Sequence, residues 1–196
     1  VKNQKHIMLF WESKLIHKLR GKTAVPNLHF VGDEKTEDGK MYHVMVMDML
    51  GKSLEDLFQE CRRKFDLNTV LHIAVQMIQR IKVVHEERII HRDIKPDNIM
   101  INHNNEAVLI DFGVSAIVDK PEDLILESNM GSYMFFAPEM FNLANGAQVH
   151  GEKTDIWALG ITFYYLLTGD YPWKKAANPL HLKEMVCSQT IDFSPI

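Results

Sequence analysis

A chain of 196 residues with 46% apolar and 24% charged content can bury one ordinary core, which excludes the disordered and fibrous classes. Twenty-two basic against 26 acidic residues leave a net charge of −4, and the three cations of Arg62-Arg63-Lys64 are too few to suggest nucleic acid or an anionic membrane as a partner. The two cysteines, Cys61 and Cys187, show no metal-like spacing, exclude a disulfide framework and suit a reducing compartment.

The N-terminus carries no signal-peptide core, and the longest apolar run, around 156–167, is too short for a bilayer and holds Gly160 and Thr162. A soluble, cytoplasmic protein is expected. Ten histidines without metal-type clustering read as surface or satisfied core residues. Residues 7–20 predict a helix, with Met8, Trp11, Leu15, Ile16 and Leu19 on one stripe. Glu12 sits inside that stripe and must reach water or a cation, because burying an unpaired carboxylate is costly. Residues 26–31 and 41–47 read as strands joined by a turn-rich 32–40. In the second, Tyr42, Val44 and Val46 alternate with His43, Met45 and Met47, as two covered faces would allow.

After the short connection Asp48-Met49-Leu50-Gly51, Ser53 is placed to cap a brief helix. Asp66 or Asn68 then caps a long one reaching Glu86, whose buried stripe is expected to be Val70, Ile73, Ala74, Met77, Ile78, Ile81 and Val84. Beyond a polar stretch from 142 to 153, a helix should open near Thr154 and end at Gly169, with Pro172 following; another begins near Pro179.

Between the long helix and the polar stretch lies the chemistry. From Ile89 the chain reads I-I-H-R-D-I-K-P-D-N-I-M-I, turns through 102–105, and continues A-V-L-I-D-F-G to Gly113, a polar loop framed by apolar strand sequence. Asp93, Lys95, Asn98 and Asp111 supply what phosphoryl transfer needs: a carboxylate for the hydroxyl proton, a cation for the moving phosphoryl, and hard oxygen ligands for Mg²⁺. Singly each has a structural alternative, as turn former, solvated charge, loop cap or Asx-turn. The set together points to a triphosphate site.

These residues resemble the protein kinases. His91-Arg92-Asp93 with Lys95 and Asn98 matches the catalytic loop, Asp111-Phe112-Gly113 the metal-binding motif, and Ala137-Pro138-Glu139 the end of the activation segment. The resemblance implies a two-lobed α+β fold with a partial N-terminal lobe at 1–47, a hinge at 48–51 and a partial C-terminal lobe at 52–196. It makes Asp93 the base, Lys95 the cation on the moving phosphoryl, and Asn98 and Asp111 the Mg²⁺ ligands. Glu12 becomes the helix glutamate that pairs with a strand lysine. Around ATP, Met47 would be the gatekeeper, the carbonyl of Asp48 and the N–H of Leu50 would bond adenine, and Met100 would lie beneath it. Asp56 either faces the ribose or is a plain first-turn acid. Phe112, His91 and Ile16 would stack as a column. Ser128 stands where many kinases carry an activating phosphate from an upstream kinase, with Arg92 to bind it, and Ser132 where a hydroxyl holds the catalytic Asp and Lys. Asp155 would accept backbone N–H groups of the catalytic loop.

The implied activity is transfer of the γ-phosphoryl of ATP to protein serine or threonine, since tyrosine kinases usually differ at Lys95. Residues 51–57 look like casein kinase I, and 111–173 like calmodulin-dependent-type kinases. None of the glycines makes G-x-G-x-x-G, Lys2 precedes Glu12 by a shorter gap than the family shows, and no arginine follows Glu139 to pair with it. The chain is therefore expected to be an inactive fragment of a complete kinase domain. A pseudokinase or scaffold is the alternative, and a small-molecule kinase a weaker one.

Overall fold

The computed structural model describes residues 2–118, 131–145 and 149–196. Helix α1 (Lys2–Lys18) drives Leu15 and Ile16, with Leu19 just past its end, into the core. The first strand is longer than its apolar run: β1 (Leu28–Lys35) pairs antiparallel with β2 (Met41–Met47), Leu28 opposite Met47 and Lys35 opposite Met41. Polar Asp33, Glu34 and Lys35 join a strand here because cross-strand pairing, not burial, holds them. Among the described residues the sheet has two strands. Met45, Met47 and Leu28 pack on the core, whereas Tyr42 is 51% exposed and Val46 44%, so among these residues the other face of β2 carries no cover of the kind its alternation would allow.

Helix α2 (Leu54–Glu60) opens on a capping box: the Asp56 N–H donates to Ser53 Oγ, and Asp56 Oδ2 accepts from the Ser53 N–H, both at 3.1 Å. Asp56 thus lies in the first turn and closes the capping box. Helix α3 (Leu67–Glu86) is capped by Asp66, whose Oδ1 accepts the Thr69 N–H at 2.8 Å. Its buried face is Val70, Ile73, Met77, Ile81 and Val84, but Ile78 is 56% exposed. Two residues on, Arg80 takes an inner position. Its guanidinium donates to the Ala107 carbonyl (3.2 Å) and Thr23 Oγ1 (2.9 Å), which satisfies a buried cation.

Two short strand pairs brace the loops between helices. Strand β3 (Ile89–Ile90) pairs with β6 (Ala116–Ile117), and β4 (Ile99–Ile101) with β5 (Ala107–Leu109). Helix α4 (Gly151–Thr168) is apolar almost all round and runs through the core. It stops at Gly169, whose φ of +82° makes a left-handed cap and whose N–H reaches the Tyr165 carbonyl at 2.8 Å. Helix α5 (Pro179–Ser188) packs Leu182, Met185 and Val186 on the same core, which is continuous from α1 to α5. The fold is α+β, with small sheets and five helices among the described residues. No described helix is long and apolar enough to cross a membrane.

Candidate active site

The loop from Ile90 to Asn98 is held from below by one carboxylate. Asp155, in the second turn of α4 and 1% exposed, accepts the His91 and Arg92 N–H groups at 2.8 Å each. It also stands 2.9 Å from His85 Nε2. Arg92 has φ +71°, unfavourable for a residue with a Cβ, and these bonds sustain it. His91 is fully buried, and burial moves its pKa below the ordinary value despite the Asp155 charge. A neutral ring fits its contacts: Nε2 is 3.0 Å from the Ile110 carbonyl, and Nδ1 faces the Asp93 N–H at 3.3 Å, one donor and one acceptor.

Three of the four predicted catalytic and metal residues meet directly. Asp93 Oδ2 accepts from Lys95 Nζ (2.8 Å) and Asn98 Nδ2 (2.9 Å), and Oδ1 from the Ser132 N–H (2.9 Å). Lys95 Nζ also reaches Ser132 Oγ at 2.9 Å. Burial pushes the Asp93 carboxyl up, but the Lys95 bond and charge, with the bonds from Ser132 and Asn98, outweigh it and hold it below the usual carboxylate range. It is therefore an anion at neutral pH.

Asn98 spends its amide N–H on Asp93, donating also to the Asp93 carbonyl (2.8 Å), so its Oδ1 is left as an acceptor. Asp111 stands apart from that network. It is exposed at φ +63°, and its Oδ1 takes the Gly113 N–H at 3.3 Å; it is tied to Asn98 through the backbone, by the Ile110 N–H donating to the Asn98 carbonyl at 3.0 Å. An amide oxygen and an open carboxylate are hard donors of the kind Mg²⁺ takes when phosphates complete its shell. Among the described residues no larger group of metal ligands occurs.

Among the described residues Glu12 meets main chain. Its Oε1 accepts the Phe112 N–H at 3.1 Å. Burial raises its pKa, the Phe112 bond lowers it, and Asp111 raises it further, for a net rise. Phe112 is fully buried, edge-on to His91 with ring centroids 4.8 Å apart, and belongs with Ile16 to the same core cluster, an arrangement that a plain core phenylalanine would also give.

The β2–α2 connection carries the remaining predictions. Met47 is half-buried at the strand's end. Asp48 is pinned by its side chain, accepting from Asn27 N (2.9 Å) and Nδ2 (2.8 Å), with His29 Nε2 at 2.7 Å. Among the described residues neither the Asp48 carbonyl nor the Leu50 N–H has a hydrogen bond, which leaves one acceptor and one donor for a planar heterocycle edge. The Gly51 N–H returns to the Ile101 carbonyl (2.8 Å), and Met100 bridges to Ser53, bringing β4 beside this connection. Ser128 lies outside the described residues.

Two residues of the site escaped the sequence reading. His85 looks like one more residue of an amphipathic helix until α4 is folded against it. Gly131 has φ +112°, and a Cβ there would stand 2.5 Å from the Arg92 carbonyl and 3.4 Å from Asp93 Oδ1. Its place just before Ser132 was the available signal. A family model described as the protein kinase domain matches residues 1–194.

Proposed function

The chain belongs to the protein kinase domain family, and we propose that it is a serine/threonine-directed member whose loop from His91 to Asn98 carries the transfer. Membership makes it a transferase that uses ATP and acts on proteins. The finer reading rests above all on one arrangement: Lys95 Nζ held between Asp93 Oδ2 and Ser132 Oγ.

In this reading Asp93 orients the substrate hydroxyl and accepts its proton late in transfer. Lys95 stays charged beside it and offsets negative charge on the moving phosphoryl. Ser132 keeps both in register through its N–H and its hydroxyl. Asn98 Oδ1 and the Asp111 carboxylate hold Mg²⁺, which when bound neutralises charge on phosphate oxygens. The Asp48 carbonyl and Leu50 N–H receive the base of ATP, with Met47 and Met100 bordering it and Glu12 steadying the turn at Phe112. Residues 1–47 and 52–196 are proposed as the two lobes and 48–51 as the hinge. Arg92 is proposed to bind a phosphate that an upstream kinase places on Ser128. The likeness to casein kinase I at 51–57 and to calmodulin-dependent-type kinases at 111–173 is carried as a proposal of lineage. Free thiols at Cys61 and Cys187 support a cytoplasmic setting.

The test is transfer from radiolabelled ATP to matched peptide mixtures bearing serine, threonine or tyrosine as the sole acceptor. Label on serine and threonine alone is expected. Label on tyrosine alone would remove the acceptor assignment, and label on free metabolites but no peptide would remove the protein-substrate reading.

A further inference from the structure

Met8, Trp11 and Glu12 stand at i, i+3 and i+4 of α1, so they share a face. That face addresses one turn of chain, 111–115. The Met8 methyl would lie 3.2 Å from a Cβ placed on Gly113, so it covers the middle of the turn. Glu12 Oε1 takes the Phe112 N–H near its start. At its far end, the Trp11 indole N–H donates to the Ser115 carbonyl at 2.9 Å, joining residues 104 apart in sequence. Ser115 is buried, and its hydroxyl donates to the His91 carbonyl at 2.9 Å, which continues the connection into the catalytic loop.

We infer that Trp11 is a positioning residue for Asp111: its indole N–H anchors the far end of the turn that presents this carboxylate. An apolar ring alone would fill the same space, but a half-buried indole N–H needs an acceptor, and here the acceptor is main chain of the turn. Adjacent residues of a helix point about 100° apart. Bonds from both Trp11 and Glu12 therefore set how α1 is rotated against the turn, where a single bond would act as a pivot. The turn needs that support. Asp111 is a non-glycine residue at φ +63°, and its own bond to Gly113 is long at 3.3 Å. The inference rests on the proposed function for what Asp111 binds, and on geometry alone for what Trp11 does.

The test is Trp11→Phe in the intact protein, which keeps an aromatic ring and deletes the donor. Two quantities are read: amide hydrogen exchange resolved across 111–117, and the Mg²⁺ concentration giving half-maximal ATP binding by calorimetry. Exchange at Phe112, Gly113 and Ser115 is expected to accelerate about three- to tenfold, as loss of one hydrogen bond allows, with α3 and α4 unchanged. The Mg²⁺ requirement is expected to rise by a similar factor. Unchanged exchange in the turn, or equal acceleration throughout the molecule, would overturn the inference. In the wild-type protein the Trp11 indole N–H should itself exchange slowly; rapid exchange there would overturn it even if the variant did not fold. Faster exchange in the turn of a protein whose ATP binding ignores Mg²⁺ would support the anchor while overturning the proposed metal site.

Discussion

Asp93 and Glu12 are both acids partly removed from water, and the balance of burial against partners moves their pKa values in opposite directions. Lys95 is a full cation against Asp93, so the folded pKa falls below the ordinary 3.8. That contribution to stability is present above pH 3.8 and disappears as the pH drops through the lower folded value. Among the described residues Glu12 meets only a peptide N–H, burial dominates, and its folded pKa rises above the ordinary 4.5. Its ionisation therefore weakens the fold as pH climbs from 4.5 through the folded value. Glu12→Gln keeps an oxygen for the Phe112 N–H and removes the charge, so thermal melts should show the variant more stable than wild type at pH 7.5, with the advantage gone at pH 4. A variant less stable at both pH values would mean that Glu12 has a cationic partner. Gly131 permits a second residue-scale prediction. Gly131→Ala meets both an unfavourable φ and a carbonyl at 2.5 Å, which should cost about 1–3 kcal/mol in denaturant titrations and slow phosphoryl transfer by displacing Ser132. Glycine's role there was invisible in the sequence because the atom it avoids, the Arg92 carbonyl, comes from a loop 39 residues earlier.

Helices supply the site's rigidity from a distance. Helix α4 contributes Asp155, and α3 contributes His85 to the same carboxylate, so the catalytic loop is suspended from the two central helices. Asp155→Ala would strand the buried His91 N–H and the part-buried Arg92 N–H and leave His85 without its carboxylate, and a loss of roughly 3–5 kcal/mol is expected in chemical denaturation. A loss below about 1 kcal/mol would show that the loop holds itself. The α2 cap is a milder case: Ser53→Ala should cost about 1 kcal/mol, without altering chemistry on the far side of the loop. Element positions were largely readable, because caps such as Ser53, Asp66 and Gly169 are local chemistry. Errors arose where neighbours decide. Strand β1 continued into polar residues through its pairing with β2, and Arg80 joined the buried face of α3 through acceptors at Thr23 and Ala107 that no helical pattern could announce.

Across the whole molecule, one core runs from α1 through α4 to α5, and the polar loop is set against it so that Asp93, Lys95, Asn98 and Ser132 converge. That convergence was legible in motif spelling, since the spacing of these residues resembles a known family; the attachment of Glu12 and Trp11 to the 111–115 turn was not, because it depends on how a helix docks a hundred residues away. The most direct measurement is the rate of γ-phosphoryl transfer to a protein hydroxyl by the complete gene product, wild type and Asp93→Asn, each first shown by calorimetry to bind ATP with Mg²⁺. Asn keeps the size of the side chain and loses the proton acceptor, so the expected result is equal ATP affinity with transfer at least about 100-fold slower in the variant. Equal transfer rates, or no transfer by folded, nucleotide-bound wild type, would contradict the role assigned to Asp93 and with it the proposed catalytic site.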